Sequence, residues 1–390
     1  MRPALDSWQP RESAASVAAA GLIALAVAMG IGRFAFTPIL PMMQDDAGLS
    51  IARGSWLASA NYVGYFLGAL WATVHRVRSP LAIRAALLVI GLATLAMGLV
   101  EQFAAWLVLR MLAGVASAWA LIHVSAWCLE RLTSLRRPLL IGVVFTGVGS
   151  GIALAGGMCL ALMSIRASSW LAWASLGMVS LVVAALIWPV VDEGAAPTKR
   201  GRTGAGRRQW TPRMLQLVFC YGAFGFGYII PATFVPVMAK QAIADPALFG
   251  WAWPVFGLTA AASTLLSAVW SRAGAYRRVW IVASAAMAAG VAAPVALPGL
   301  PGVLMAAVGV GGTFMVITMA GMQEAGRVAG AAAPALIGAM TAAFALGQII
   351  GPLTAGLASD LWISHLIASA LLVLSAVVLA IEPDERSSRG

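Results

Sequence analysis

Charge is scarce in this chain: only 10% of its 390 residues are Asp, Glu, Lys or Arg, against 61% hydrophobic residues and a mean hydropathy of +0.90. So little polar surface excludes a water-soluble domain of this size and implies an integral membrane protein. Cys128, Cys159 and Cys220 are too few and too scattered for a disulfide framework or a metal site, and no cofactor is implied. Paired carboxylates inside apolar runs, a His-Glu-x-x-His and a suitably placed Gly-x-Ser-x-Gly elbow are all missing, so the chain does not read as an enzyme. A nucleotide-binding Gly-x-x-x-x-Gly-Lys loop is missing too, which excludes a primary pump and leaves ion or solute gradients as the energy source.

What the chain does have is a repeat. GIGRFAFTPILPMM at 30–43 returns as GFGYIIPATFVPVM at 225–238, matching Gly30, Gly32, Pro41 and Met43 to Gly225, Gly227, Pro236 and Met238. The offset of 195 is half the chain, and it also relates Trp56 to Trp251 and Leu109, Gly114 and Val115 to Leu304, Gly309 and Val310. Farther on, Gly147, Gly151, Ala155 and Gly156 recur as Gly347, Gly351, Ala355 and Gly356, an offset of 200. A long repeat in so apolar a chain points to a two-fold transporter.

Apolar stretches of about 20 residues, the length that crosses about 30 Å of hydrocarbon, predict spans at 14–43, 52–74, 81–100, 103–129, 137–161 and 168–190. They continue at 213–239, 248–270, 278–297, 300–322, 328–357 and 361–381. The expected fold is therefore all-α and polytopic: twelve transmembrane helices in two pseudo-symmetric six-helix bundles, 1–191 and 213–390, joined by a cytoplasmic linker at 192–212. Six spans per half make the repeats parallel, about an axis along the membrane normal.

A net charge of +11 invites a nucleic-acid reading, but the distribution opposes it. Of 25 Lys and Arg, Arg33 and Arg110 fall within spans and Arg53, Arg166 and Lys240 lie on one side; the other 20, among them Arg76, Arg78, Arg136, Arg137, Arg277 and Arg278, fall on the opposite side. Basic residues gather on the cytoplasmic side, so both termini are expected there, in a cell inner membrane.

Gly30, Gly32, Pro38 and Pro41 in helix one, and Gly225, Gly227, Pro231 and Pro236 in helix seven, allow close approach and local bending; they read equally as gating elements and as packing. Arg33 and Arg110 carry the most information, because a charge inside a span costs about 2.5–3.5 kcal/mol and must face protein or water. Both fall about eight residues from the same end of their spans, and no span carries an acid at mid-depth. An anionic substrate would fit two unpaired guanidinium forks; bonding to backbone carbonyls and a gating role are the other readings. Asn61, Tyr228, Thr233 and Gln348 are further polar candidates for the lining, and His123 is a candidate proton carrier.

These segments resemble the major facilitator superfamily. GIGRFAFTPILPMM, SANYVGYFLGAL, GVGSGIALAGG and GFGYIIPATFVP look like its YbfB/YjiJ branch, across nearly the whole chain. Arg110 with Gly114 and Ser117 resembles the Arg-Gly motif of the fourth helix. Gly347, Gly351, Pro352 and Gly356 resemble the Gly-Pro motif of antiporters, here in helix eleven. Of the usual Gly-x-x-x-Asp-Arg-x-Gly loop, Ser271, Arg272 and Gly274 keep only the tail, and Ala72 stands where the first copy's Asp is expected. The resemblance implies a central cavity lined by helices one, four, seven and ten, and alternating access by rocking of the halves. A small organic anion, with H+ as an optional coupling ion, is the expected cargo of a functional monomer in the lipid bilayer; proton-coupled efflux of amphipathic drug-like compounds is the alternative.

Overall fold

The computed structural model describes residues 13–75, 77–137, 139–191, 210–243, 245–270, 275–358 and 360–381. Arg76, the motif tail at Ser271, Arg272 and Gly274, and the expected linker over 192–209 lie outside the described residues. Twelve long helices account for nearly all the rest, and no strand occurs among the described residues. They are α1 (Ala14–Asp46), α2 (Ile51–Val74), α3 (Ser79–Met97), α4 (Phe103–Ser134), α5 (Leu140–Ser164) and α6 (Ser169–Ile187). The second set is α7 (Pro212–Ala242), α8 (Ala252–Trp270), α9 (Tyr276–Ala296), α10 (Leu300–Ala329), α11 (Ala333–Leu357) and α12 (Leu361–Ala380), with one helical turn, Pro246–Phe249, before α8. Ten are long and apolar enough to cross a membrane; α2, with Arg53, Asn61, Tyr62 and Tyr65 on it, and α8 pack among them and complete six per half.

The packing repeats as the sequence does. In the first half α1 packs on α5, α2 on α4, and α3 on α4 and α6; in the second, α7 packs on α11, α8 on α10, and α9 on α10 and α12. The halves meet through α5 with α8, through α2 with α11, and where α1 crosses α7. The first two contacts are images of each other under the repeat, and the third joins a helix to its own image, on the pseudo-two-fold axis. Helices α3, α6, α9 and α12 turn Leu92, Leu186, Val282 and Val377 outward, the apolar exterior of a membrane protein.

Between helices in lipid no hydrophobic force operates, so close contact of small residues supplies the attraction. A Cβ on Gly30 would come within 2.3 Å of the Gly151 backbone, and one on Gly225 within 2.3 Å of the Phe344 carbonyl. Across the halves, a Cβ on Gly257 would meet the Ala153 nitrogen at 2.2 Å. These glycines are seams between helices.

Several helices outrun the apolar stretches that announced them: α10 continues to Ala329 beyond the expected 322, and α4 to Ser134 beyond 129. Hydropathy marks where lipid ends, whereas the helix ends where its hydrogen-bond ladder does. Helix α7 begins at Pro212, capped by the Thr211 hydroxyl, so the last residue of the expected linker is already helical.

Candidate functional site

Helix α1 is not one α-helix. Ala14–Leu25 is α-helical, Ala26–Ile31 is a π-helix, residues 32–35 form a turn, and an α-helix resumes over Phe36–Asp46. The Thr37 amide bonds to Phe34 rather than to Arg33, so the Arg33 carbonyl loses its helical donor. Such a break is costly in an apolar setting unless other groups take the freed carbonyls. Side chains of α2 and α4 do so. Arg110 donates to the carbonyls of Gly32 (3.4 Å) and Arg33 (3.1 Å), Asn61 Nδ2 donates to Gly32 (3.3 Å) and to the Arg110 carbonyl (2.9 Å), and Ser117 donates to Ala28 (2.7 Å).

Helix α7, built from the matching motif, stays α-helical through Pro231 and Pro236. At the 195-residue offset, Arg110, Asn61 and Ser117 correspond to Met305, Phe256 and Gly312, which have no side-chain donor to offer. One half therefore holds a broken helix, and the other lacks the side chains that hold it.

The break turns Arg33 toward the second half. Its Nη2 donates to Gln348 Oε1 of α11 at 2.5 Å, and Gln348 Nε2 donates to the Tyr228 hydroxyl of α7. Arg33 and Tyr228 are repeat equivalents, so a single amide joins them across the axis. The guanidinium also lies over the rings of Tyr65 (4.1 Å), Tyr62 (5.2 Å) and Phe34 (5.3 Å), while Arg110 lies over Phe36 (5.0 Å). Arg33 is only 2% exposed, its Nε has no hydrogen-bond partner, and among the described residues no carboxylate pairs with either arginine.

From this level toward the end of the bundle away from the termini, a ladder of bonds joins the halves. Tyr62 bonds to Thr233 at 3.3 Å, and because the Thr233 hydroxyl already donates to Ile229, it accepts from the tyrosine. Ser59 donates to the Ile349 carbonyl at 2.9 Å. Thr37 donates to the Ala232 carbonyl at 2.8 Å, the group that Pro236 leaves without its helical donor. Last, Lys240 donates to the Pro41 carbonyl at 2.9 Å and to Asp45 at 2.5 Å.

The structure thus brings Arg33, Tyr228, Gln348 and Thr233 together at the interface of the halves and sets Arg110 and Asn61 behind them, against the break in α1. His123 stands apart, bonded to Ser79 of α3 at 3.2 Å. Gly351 packs against Ile229, and Pro352 lies within α11. Two features escaped the sequence. Glu324, at the terminal end of α10, is fully buried and accepts from Arg327 (2.6 and 2.8 Å) and Arg213 (3.4 Å). The second half also presents a run of rings, Trp253, Phe256, Phe314, Tyr228 and Phe344, with successive centroids 4.6–5.9 Å apart. Only the chain's fold brings those five positions, spread over four helices, to one wall.

Two six-helix bundles, related by a pseudo-two-fold axis and meeting over a polar crossing of discontinuous helix, are an architecture of membrane transporters. The chain belongs to the YbfB-type transporters of the major facilitator superfamily: the family model described as "Uncharacterised MFS-type transporter YbfB" matches residues 25–381. Among solved structures, the crystal structure of a point mutant of the nucleoside transporter NupG is similar at a TM-score of 0.69 and 13% identity, covering 93% of this chain and 99% of that one. At that identity the likeness speaks for the fold alone. No curated protein matches the chain.

Proposed function

We propose that this secondary transporter carries a small organic anion by alternating access, the two six-helix halves rocking about the level of Arg33. The observation that carries the reading is a buried guanidinium at the crossing of the halves, with a free Nε and no carboxylate partner among the described residues. A guanidinium fork matches a carboxylate or phosphate, and an anion there would remove the cost of an uncompensated buried charge. In this reading Arg33 binds the anion, Tyr228, Gln348 and Thr233 line the site beside it, and Arg110 and Asn61 hold the broken helix that aims it.

The ladder from Thr37–Ala232 to Lys240–Asp45 seals the end away from the termini. With both termini cytoplasmic in an inner membrane, as the basic residues favour, this state is closed to the outside. Gly30, Gly32, Pro38 and Pro41 then allow α1 to flex during opening, against Gly225, Gly227, Pro231 and Pro236 of α7 and Gly351 and Pro352 of α11. Residues 192–212 tether two halves of a monomer. Proton coupling, where it operates, falls to His123 or to the rim acids Asp45, Asp46 and Glu101.

The ring wall supports a second reading, efflux of amphipathic cations, since aromatic faces attract cations. Counterflow in proteoliposomes separates the two: labelled organic anions exchange under the first, lipophilic cations under the second. Exchange of cations alone removes the anion reading.

A further inference from the structure

The two sides of the crossing are unequal in a way the fold does not require. Phe344, Phe314, Phe256, Tyr228 and Trp253 correspond, at the repeat offsets, to Val144, Trp119, Asn61, Arg33 and Ala58. Four of the five positions are aromatic in the second half only. The first half sets rings of its own, Tyr62, Tyr65 and Phe34, around the Arg33 guanidinium, at positions that are Gly257, Ala260 and Ile229 in the second half, so the rings of the two sides serve different neighbours.

The rings are also ordered. Tyr228 lies nearly parallel to Phe314 (6°, centroids 5.9 Å apart) and to Phe344 (9°, 5.6 Å), which is offset stacking rather than random contact. Phe344 is only partly buried, as is Tyr65 on the opposing half, whereas Tyr228 and Phe314 are buried. Phe344 is four residues from Gln348, hence on the same face of α11 and about 6 Å along it. Phe344 is held from behind by Tyr221 (5.2 Å) and Phe224 (5.1 Å) as well as by Tyr228, and keeps part of its ring uncovered. Arg33 bonds to the amide of Gln348, so an anionic group taking that amide's place has this partly uncovered ring one helical turn away.

We propose that the transported anion is an aromatic carboxylate: Arg33 takes the carboxylate in place of the Gln348 amide, and the ring of the substrate packs on the uncovered part of Phe344, which Tyr228, Tyr221 and Phe224 hold from its other sides. This rests on the anion reading above and adds the class of anion.

The test compares 3-phenylpropionate with 3-cyclohexylpropionate, which has the same charge and nearly the same size but no π-face, by calorimetric titration of the purified protein. The phenyl acid binds about threefold to tenfold tighter, the worth of one added aromatic pair. Phe344→Leu brings that ratio near one. Phe314→Leu, one ring removed from the ligand, lowers the ratio less and serves if Phe344→Leu does not fold. Equal affinity of the two acids in the wild type, or a ratio that survives Phe344→Leu in a folded protein, overturns the aromatic assignment and leaves the anion reading standing. Binding of neither acid, with binding of a lipophilic cation, overturns both.

Discussion

Thr37 donates its hydroxyl to the carbonyl of Ala232 at 2.8 Å, and the two residues are the same position in successive copies of one motif. A contact between repeat equivalents can occur only on the axis that relates the copies. Asp45 and Lys240, also 195 apart, repeat the relationship nearer the end of the bundle. Helices α1 and α7 therefore cross on the axis, and opening this end requires their separation.

A disulfide tests that motion. Thr37→Cys with Ala232→Cys is expected to cross-link under mild oxidation and to abolish transport, with recovery on reduction; Cys128, Cys159 and Cys220 are buried and offer no competing thiol. Full transport by the cross-linked protein contradicts the seal.

Arg110 and Arg33 should respond differently to substitution. Arg110→Met installs the residue of the second repeat; Asn61 still serves the Gly32 carbonyl, but the Arg33 carbonyl loses its donor, at about 1–3 kcal/mol for a buried group left unpaired. Thermal unfolding should show a clear loss of stability for Arg110→Met and a smaller one for Arg33→Gln. The reverse order contradicts the division of roles.

The glycine seams make a graded prediction. Gly257→Ala forces a methyl against the Ala153 backbone between the halves and should depress both stability and transport, whereas Gly157→Ala, with nothing within 4 Å of its Cβ, should change neither. Folded yield and uptake measure both. Equal tolerance denies that the interface of α5 with α8 is packed this closely.

The buried acid gives a further case. Glu324→Gln removes the buried carboxylate that Arg213 and Arg327 share; both arginines keep solvent contact, at 24% and 46% exposure, so the loss is the charge-assisted hydrogen bonds, about 1.5–3 kcal/mol. A melting temperature unchanged by Glu324→Gln contradicts the cluster.

Topology is measurable on described residues. Cysteine at Ala47, exposed between α1 and α2, should react with impermeant reagents added to intact cells, and cysteine at Leu139, exposed at 87% between α4 and α5, should not. Reversed labelling inverts the orientation.

Much of this architecture was legible because membrane helices announce themselves by length and hydropathy, and a repeat announces symmetry by its offset. The expected twelve helices are present, several with moved ends, as where α10 runs on to Ala329, and the first is broken at Ala26–Ile31 and the turn that follows. Arg33, Tyr228, Gln348 and Thr233 were visible as polar residues in apolar runs. Nothing in the string distinguished Arg33 from Arg110, because both are lone cations at similar depth. The difference lies in what surrounds them: Arg110 faces the freed carbonyls of a π-break whose existence depends on Asn61 and Ser117 as well. The ring wall was illegible for a related reason, since phenylalanine in a membrane helix is ordinary until four helices bring five rings together.

Side-by-side titration of one transported carboxylate into the wild type, Arg33→Lys and Arg33→Gln tests the central claim most directly. Lysine keeps the charge and loses the fork, so its affinity should fall several-fold; glutamine should lose about tenfold or more, the scale of one charge-assisted hydrogen bond. An Arg33→Gln protein that binds the carboxylate with wild-type affinity contradicts the account.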